Sequence, residues 1–284
     1  MSAVIEYLRG PWYIALFTWR EGIRKKTLVG FLILSLLVIF GASFMSAFLS
    51  QSTSTAELEA EIDLKLIKDI CVTTISIFGM LIAIFISASV VPNEVENKVI
   101  YTVLSKPVRR IQYLLGKFVG VQLIILANLL LMAGLFFVAI WVKQGMMPTL
   151  LLWSVLLTYF EFLVVSAFTF AVSSASTSAV LPTIGGLFIY MIGNLTEYLK
   201  DVTLRSRESG ESLDAFIGEL AKWLYNILPN LQKFSIKNYI LDMQPNDPLP
   251  REILDQIPNL MVYGLAYAIS GFVIAYWVFR RKEL

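Results

Sequence analysis

Twenty-two consecutive residues, Leu28–Leu49, carry no charge. A run of that length is what an α-helix needs to cross about 30 Å of hydrocarbon at about 1.5 Å per residue. Similar runs follow at Ile70–Val91, Phe118–Val142, Thr149–Ser173, Ala179–Leu195 and Leu260–Phe279, interrupted by one acid, Glu161. In lipid every backbone polar group needs a partner within the protein, so such runs fold as helices. The chain is expected to be an all-α polytopic membrane protein with six transmembrane helices. Composition agrees: 57% of its 284 residues are hydrophobic and 15% charged, against about 25% charged in an ordinary soluble domain.

The basic residues orient the spans. Of 23 Lys and Arg, 13 fall in the segments that share a side with the N-terminus, against five acids there. Positive charge collects on the cytoplasmic side, so both termini are expected inside a cytoplasmic membrane. The 27 residues before the first run are too charged and aromatic to read as a cleavable signal.

Several chemistries are excluded by what the sequence lacks. There is no histidine and only one cysteine, Cys71, which removes Ser-His and Cys-His pairs and most zinc or haem sites. No GxxxxGK[ST] loop occurs, so the chain is not its own nucleotide motor. Basic residues are dispersed along membrane edges, a pattern that suits lipid headgroups rather than nucleic acid. No catalytic, cofactor or metal site is expected in this chain.

Between the second and third spans lies Val91–Lys117, VPNEVENKVIYTVLSKPVRRIQYLLGK, too polar for a bilayer and too regular for a slack loop. Asn93 with Glu96 three residues on fits a capping box. Val95, Val99, Ile100, Val103 and Leu104 then share one helical face, with Glu94, Asn97, Lys98, Tyr101 and Ser105 on the other. Pro107 ends the pattern, pushing Lys106 toward an extended backbone, and Arg109, Arg110 and Lys117 follow. Upstream, PWYIALFTWREGIRKK sets Trp12, Leu16, Trp19 and Ile23 opposite Arg20 and Arg24, as expected of a helix lying in the headgroup region.

On the other side, a long polar segment, 197–258, contains a second amphipathic pattern. Leu213, Phe216, Ile217, Leu220, Trp223, Leu224 and Ile227 recur at helical spacing before Pro229. Within the spans, Glu161 reads either as a proton or cation contact or as a carboxyl bonded to Thr158, Ser166 or a neighbouring helix. Pro182 with Gly185 and Gly186 marks a hinge along a pathway or a close helix approach. Gln122 and Asn128 suit interhelical hydrogen bonds.

Four features together resemble the permease subunits of ABC transporters of the ABC-2 type, particularly the branch associated with multicopper-enzyme maturation. They are TWREGIRKK (Thr18–Lys26); the E-x-E-x-K, LSKPVRR and LLGK sequence of the cytoplasmic stretch; the six-span plan with a large external segment before the last span; and LPNLQKF (Leu228–Phe234). The resemblance implies that residues 93–117 include a coupling helix docked on a separate ATPase subunit, where ATP and Mg are bound. Glu94, Glu96, Lys98 and Tyr101 would lie at the docking face, and Lys106, Pro107, Arg109 and Arg110 at its end. It further implies a second permease copy, and an outer gate that includes the helix of Phe216, Leu220, Trp223 and Leu224. The expected function is export driven by the partner ATPase. The alternative is a membrane-embedded mechanotransmission protein that works on a periplasmic or extracellular partner without carrying substrate.

Overall fold

The computed structural model describes residues 2–49, 56–97, 109–144, 149–209, 219, 228–242 and 251–282, and among them only helices and connecting turns occur. The helices are α1 (Ser2–Ile23), α2 (Lys26–Leu49), α3 (Ala56–Ser89), α4 (Pro92–Glu96), α5 (Arg110–Gln144), α6 (Thr149–Ala175), α7 (Val180–Ser209), α8 (Lys237–Asp242) and α9 (Arg251–Arg281), with a 3-10 turn at Gln232–Phe234.

Among the described residues, four helical stretches are long and apolar enough to cross a membrane: Lys65–Glu96, Arg110–Val142, Leu150–Ala175 and Leu254–Arg281. The stretches Gly10–Ile23 and Lys26–Ala42 meet at a 64° bend and make a fifth if counted as one span, while Val180–Thr196 is a shorter apolar helix. The bend falls at Arg24 and Lys25, where the helical hydrogen bonding lapses. This separates the Trp- and Arg-bearing α1 from the uniformly apolar α2.

At the centre stands α6, packed against α3, α5, α7 and α9. Its segment 160–167 is buried all round, as expected of a helix with no polar stripe to offer water. Close approach depends on small residues. A Cβ at Gly186 of α7 would come within 2.5 Å of Thr169 Oγ1, and one at Gly271 of α9 within 3.1 Å of the Ala167 backbone. Phe118 fills the space between, 5.5 Å from the rings of both Phe170 and Phe272.

Several helices outrun the apolar runs that announce them. α3 begins at Ala56, so the acidic stretch before Ile70 continues the span as helix, and α7 likewise runs on to Ser209. α5 begins at Arg110, ahead of the run at Phe118, and α9 passes through Pro258. At the end of the bundle away from α4, residues 228–242 fold back into it. Leu231 N donates to Gly193 O (3.1 Å) and Asn230 N to the Tyr263 hydroxyl (2.8 Å), while Leu231, Phe234, Ile236 and Ile240 are buried. Lys237 ties this segment to α3 through Asp69 (2.5 Å) and Thr73 (2.8 Å). Phe216, Leu220, Trp223 and Leu224 lie outside the described residues.

Candidate functional site

The connection between α3 and α5 is built around a short helix whose start differs from expectation. Val91, in αR geometry, precedes Pro92 at the first helical position, and no side chain caps the helix. Proline is favoured there because its missing N–H would have had no intrahelical acceptor. Asn93 therefore lies inside α4 rather than capping it, and its carbonyl accepts the Asn97 N–H (3.0 Å) and side-chain amide (2.8 Å). The capping box is not formed.

Glu94 and Glu96 also part company. Residues two apart on a helix do not face each other, and here Glu96 is exposed while Glu94 is only 3% exposed. The Glu94 carboxylate points into the bundle and uses both oxygens. Oε1 accepts the Lys117 ammonium and Oε2 the Tyr113 hydroxyl, both on the foot of α5. Lys117, read from sequence as part of a basic edge, is 1% exposed and sits 5.3 Å from the centre of the Phe17 ring of α1. The opposite charge and an aromatic face make the buried ammonium tenable, and the Tyr113 hydroxyl, as a donor, helps to satisfy the carboxylate.

α1 reaches this cluster because α5 carries glycine at 116 and 120. A Cβ at Gly116 would stand 2.6 Å from Pro11 O and 2.7 Å from Ile14 Cβ; one at Gly120, 2.6 Å from Thr18 Cβ. This small-xxx-small pair, LLGKFVG, went unread in the sequence, although its spacing is legible there. Lys25, at the α1–α2 break, donates to Ser89 Oγ at the end of α3 (2.9 Å). Burial pushes the Lys25 ammonium below its usual range, with Glu21 pulling the other way.

Arg110 closes the other flank. Its guanidinium donates to the carbonyls of Arg280 (3.0 Å) and Lys282 (3.3 Å), at the negative end of the α9 dipole. Lys282 donates to Ser176 O (2.8 Å) in the α6–α7 turn, and Tyr113 stacks on Phe279 with centroids 5.7 Å apart. Arg109 is exposed, with its N–H on Gln112 Oε1 (3.1 Å). Lys98, Tyr101, Lys106 and Pro107 lie outside the described residues.

The intramembrane candidates are not gathered into this site. Glu161 is buried on α6. Ser166, one of its expected partners, is engaged elsewhere: it accepts from Gln122 Nε2 (2.7 Å) and donates to Leu163 O (2.9 Å). Asn128 donates to Ile124 O of its own helix, not to a neighbour. Pro182 falls in the first turn of α7, where it starts a helix rather than breaking one. Gly186 makes the close approach, and Gly185 has only ordinary contacts, at 3.6 Å or more, with Val172.

A family model described as ABC-2 family transporter protein matches residues 12–284. No curated protein matches the chain.

Proposed function

The chain belongs to the ABC-2 family of transporter proteins, and from that premise we propose that it is the transmembrane permease subunit of an ATP-driven exporter in the cytoplasmic membrane. Residues 1–284 then form a single permease domain with both termini cytoplasmic. α2 and Val180–Thr196 complete six spans with the four long helices, and α1 lies at the inner surface. ATP and Mg are bound by a separate ATPase subunit, since this sequence has no phosphate-cradling loop. A second permease copy completes the membrane part.

One observation carries the reading. α4 ends the span-length stretch Lys65–Glu96 and is anchored inward, onto the foot of α5, by Glu94, while Glu96 and Asn97 stay exposed. An element that receives a push needs such an arrangement: a free face for the partner and a fixed face toward the spans. Closure of the ATPase pair presses on α4 and shifts the ends of α3 and α5 together, biasing the bundle between two arrangements. Among the expected docking residues, Glu96 supplies the outward charge, and Glu94 acts by fixing the helix. Lys98, Tyr101, Lys106, Pro107, Arg109 and Arg110 are proposed to take part in docking with it.

The test is Glu96→Lys. The variant should reach the membrane at wild-type level yet lose co-purification with the ATPase subunit and its stimulation of ATP hydrolysis. If association and stimulation match wild type, α4 is not the docking element.

A second reading is favoured by the segment 228–242, which is wedged between α6, α7 and α9 at the opposite end. A pathway opening there would have to displace it. In that reading the stroke is passed to an external accessory protein and no substrate crosses the chain.

A further inference from the structure

We propose that Glu94, Tyr113 and Lys117 are positioning residues forming a latch that joins α4, the foot of α5 and α1 into one input unit. The direction of the push rests on the permease reading above; the latch itself stands on geometry.

α4 has five residues, too few to hold a helix or a rotational setting alone. Its setting is fixed from outside, by a carboxylate whose two oxygens are both taken by α5. The resulting charge pair is sealed by α1, because Gly116 and Gly120 let the α1 backbone lie directly against α5 on either side of Lys117. Phe17 covers the ammonium, and Lys25 fastens the far end of α1 to Ser89. α1 is thus tied both to α5 and to the end of α3 from which α4 departs.

A buried ion pair is a poor stability device, since apolar side chains of similar size in its place are often neutral or better. What it does supply is register: only one rotation of α4 brings Glu94 onto both partners. A force on Glu96 is then borne by α1 and α5 as well as α3. Without the latch, α4 would turn in place and the stroke would be lost.

The experiment uses the permease–ATPase complex in a Cys71→Ala background, Cys71 being the single cysteine. Spin labels go on Asn93→Cys of α4, which keeps the docking charge of Glu96, and on Arg20→Cys, with Tyr239→Cys as the reference at the opposite end; Arg20 and Tyr239 are exposed and Asn93 partly so. Double electron–electron resonance compares the nucleotide-free and ATP–vanadate-trapped states. In the native latch the 93–20 distance should stay constant while 93–239 shifts. In the all-apolar variant Glu94→Leu/Tyr113→Phe/Lys117→Met, the 93–20 distribution should broaden about twofold, as a one-turn helix freed from its anchor samples several rotations. A 93–20 shift as large as the 93–239 shift in the native latch overturns the proposal, as does an apolar variant as narrow as the native one. If no pair responds to nucleotide, the ATPase-driven reading fails. The latch is then judged on nucleotide-free widths alone, broadening supporting it and an unchanged width overturning it.

Discussion

Removing the Lys117 ammonium by Lys117→Met should be among the most damaging single changes at this end of the bundle. The side chains of Glu94 and Lys117 are 4% and 1% exposed, so neither charge recovers water when its partner goes. The carboxylate would keep the Tyr113 hydroxyl and lose its counter-charge, for a loss of about 3–5 kcal/mol. Glu94→Gln strands the ammonium instead, but the Phe17 and Tyr113 rings at 5.3 and 6.0 Å still face it. That variant should be milder by about 1–2 kcal/mol. The double variant Glu94→Gln/Lys117→Met removes both charges and leaves the Tyr113 hydroxyl an acceptor. It should lie within about 1–2 kcal/mol of wild type. The singles would then sum to more than the double by about 5 kcal/mol at the middle of these ranges, above the roughly 3 kcal/mol usual for residues in contact. Reversible unfolding in mixed detergent micelles, followed by tryptophan fluorescence, measures all four corners of the cycle. Additivity within about 0.5 kcal/mol would sink the reasoning, as would a Lys117→Met cost under about 1 kcal/mol, the range of a solvated surface pair.

The Lys237–Asp69 pair supplies the contrast: it is 35% and 48% exposed, so Lys237→Met should cost no more than about 1 kcal/mol in the same assay. Gly116→Leu should lift α1 off α5; Thr18→Cys, buried in that contact, should then react with maleimide about tenfold faster in a Cys71→Ala background, and an unchanged rate would mean α1 is held elsewhere. Leu231→Ala empties a fully buried position beside Gly193 and should cost about 2–5 kcal/mol; a loss below 1 kcal/mol, the scale of an exposed substitution, would mean that residues 228–242 are not seated in the bundle.

The helical class was legible because lipid leaves the backbone so few options, and the apolar runs mark where that constraint acts. Helix ends were less legible. Ala56–Asp69 and Arg110–Lys117 continue as helix beyond the runs, and hydropathy responds to the solvent a residue prefers, not to whether its N–H is bonded. At the site, the charged residues were found but their directions were not. Periodicity over 93–105 placed Glu94 with the polar face, whereas α4 begins at Pro92 and turns Glu94 inward. Lys117 read as an edge residue because its compensating partners, Glu94 and Phe17, are distant in sequence and meet it only in the folded bundle. The one local signal was the pair of glycines bracketing it.

The bonds of Arg110 have a consequence for biosynthesis. Its acceptor on Arg280 is 170 residues further along the chain. At about 5–20 residues per second, roughly 10–30 seconds of translation separate the donor from that carbonyl. α5 therefore enters the membrane with its foot unfastened, and the end of the molecule that bears α4 is completed only when α9 has been made.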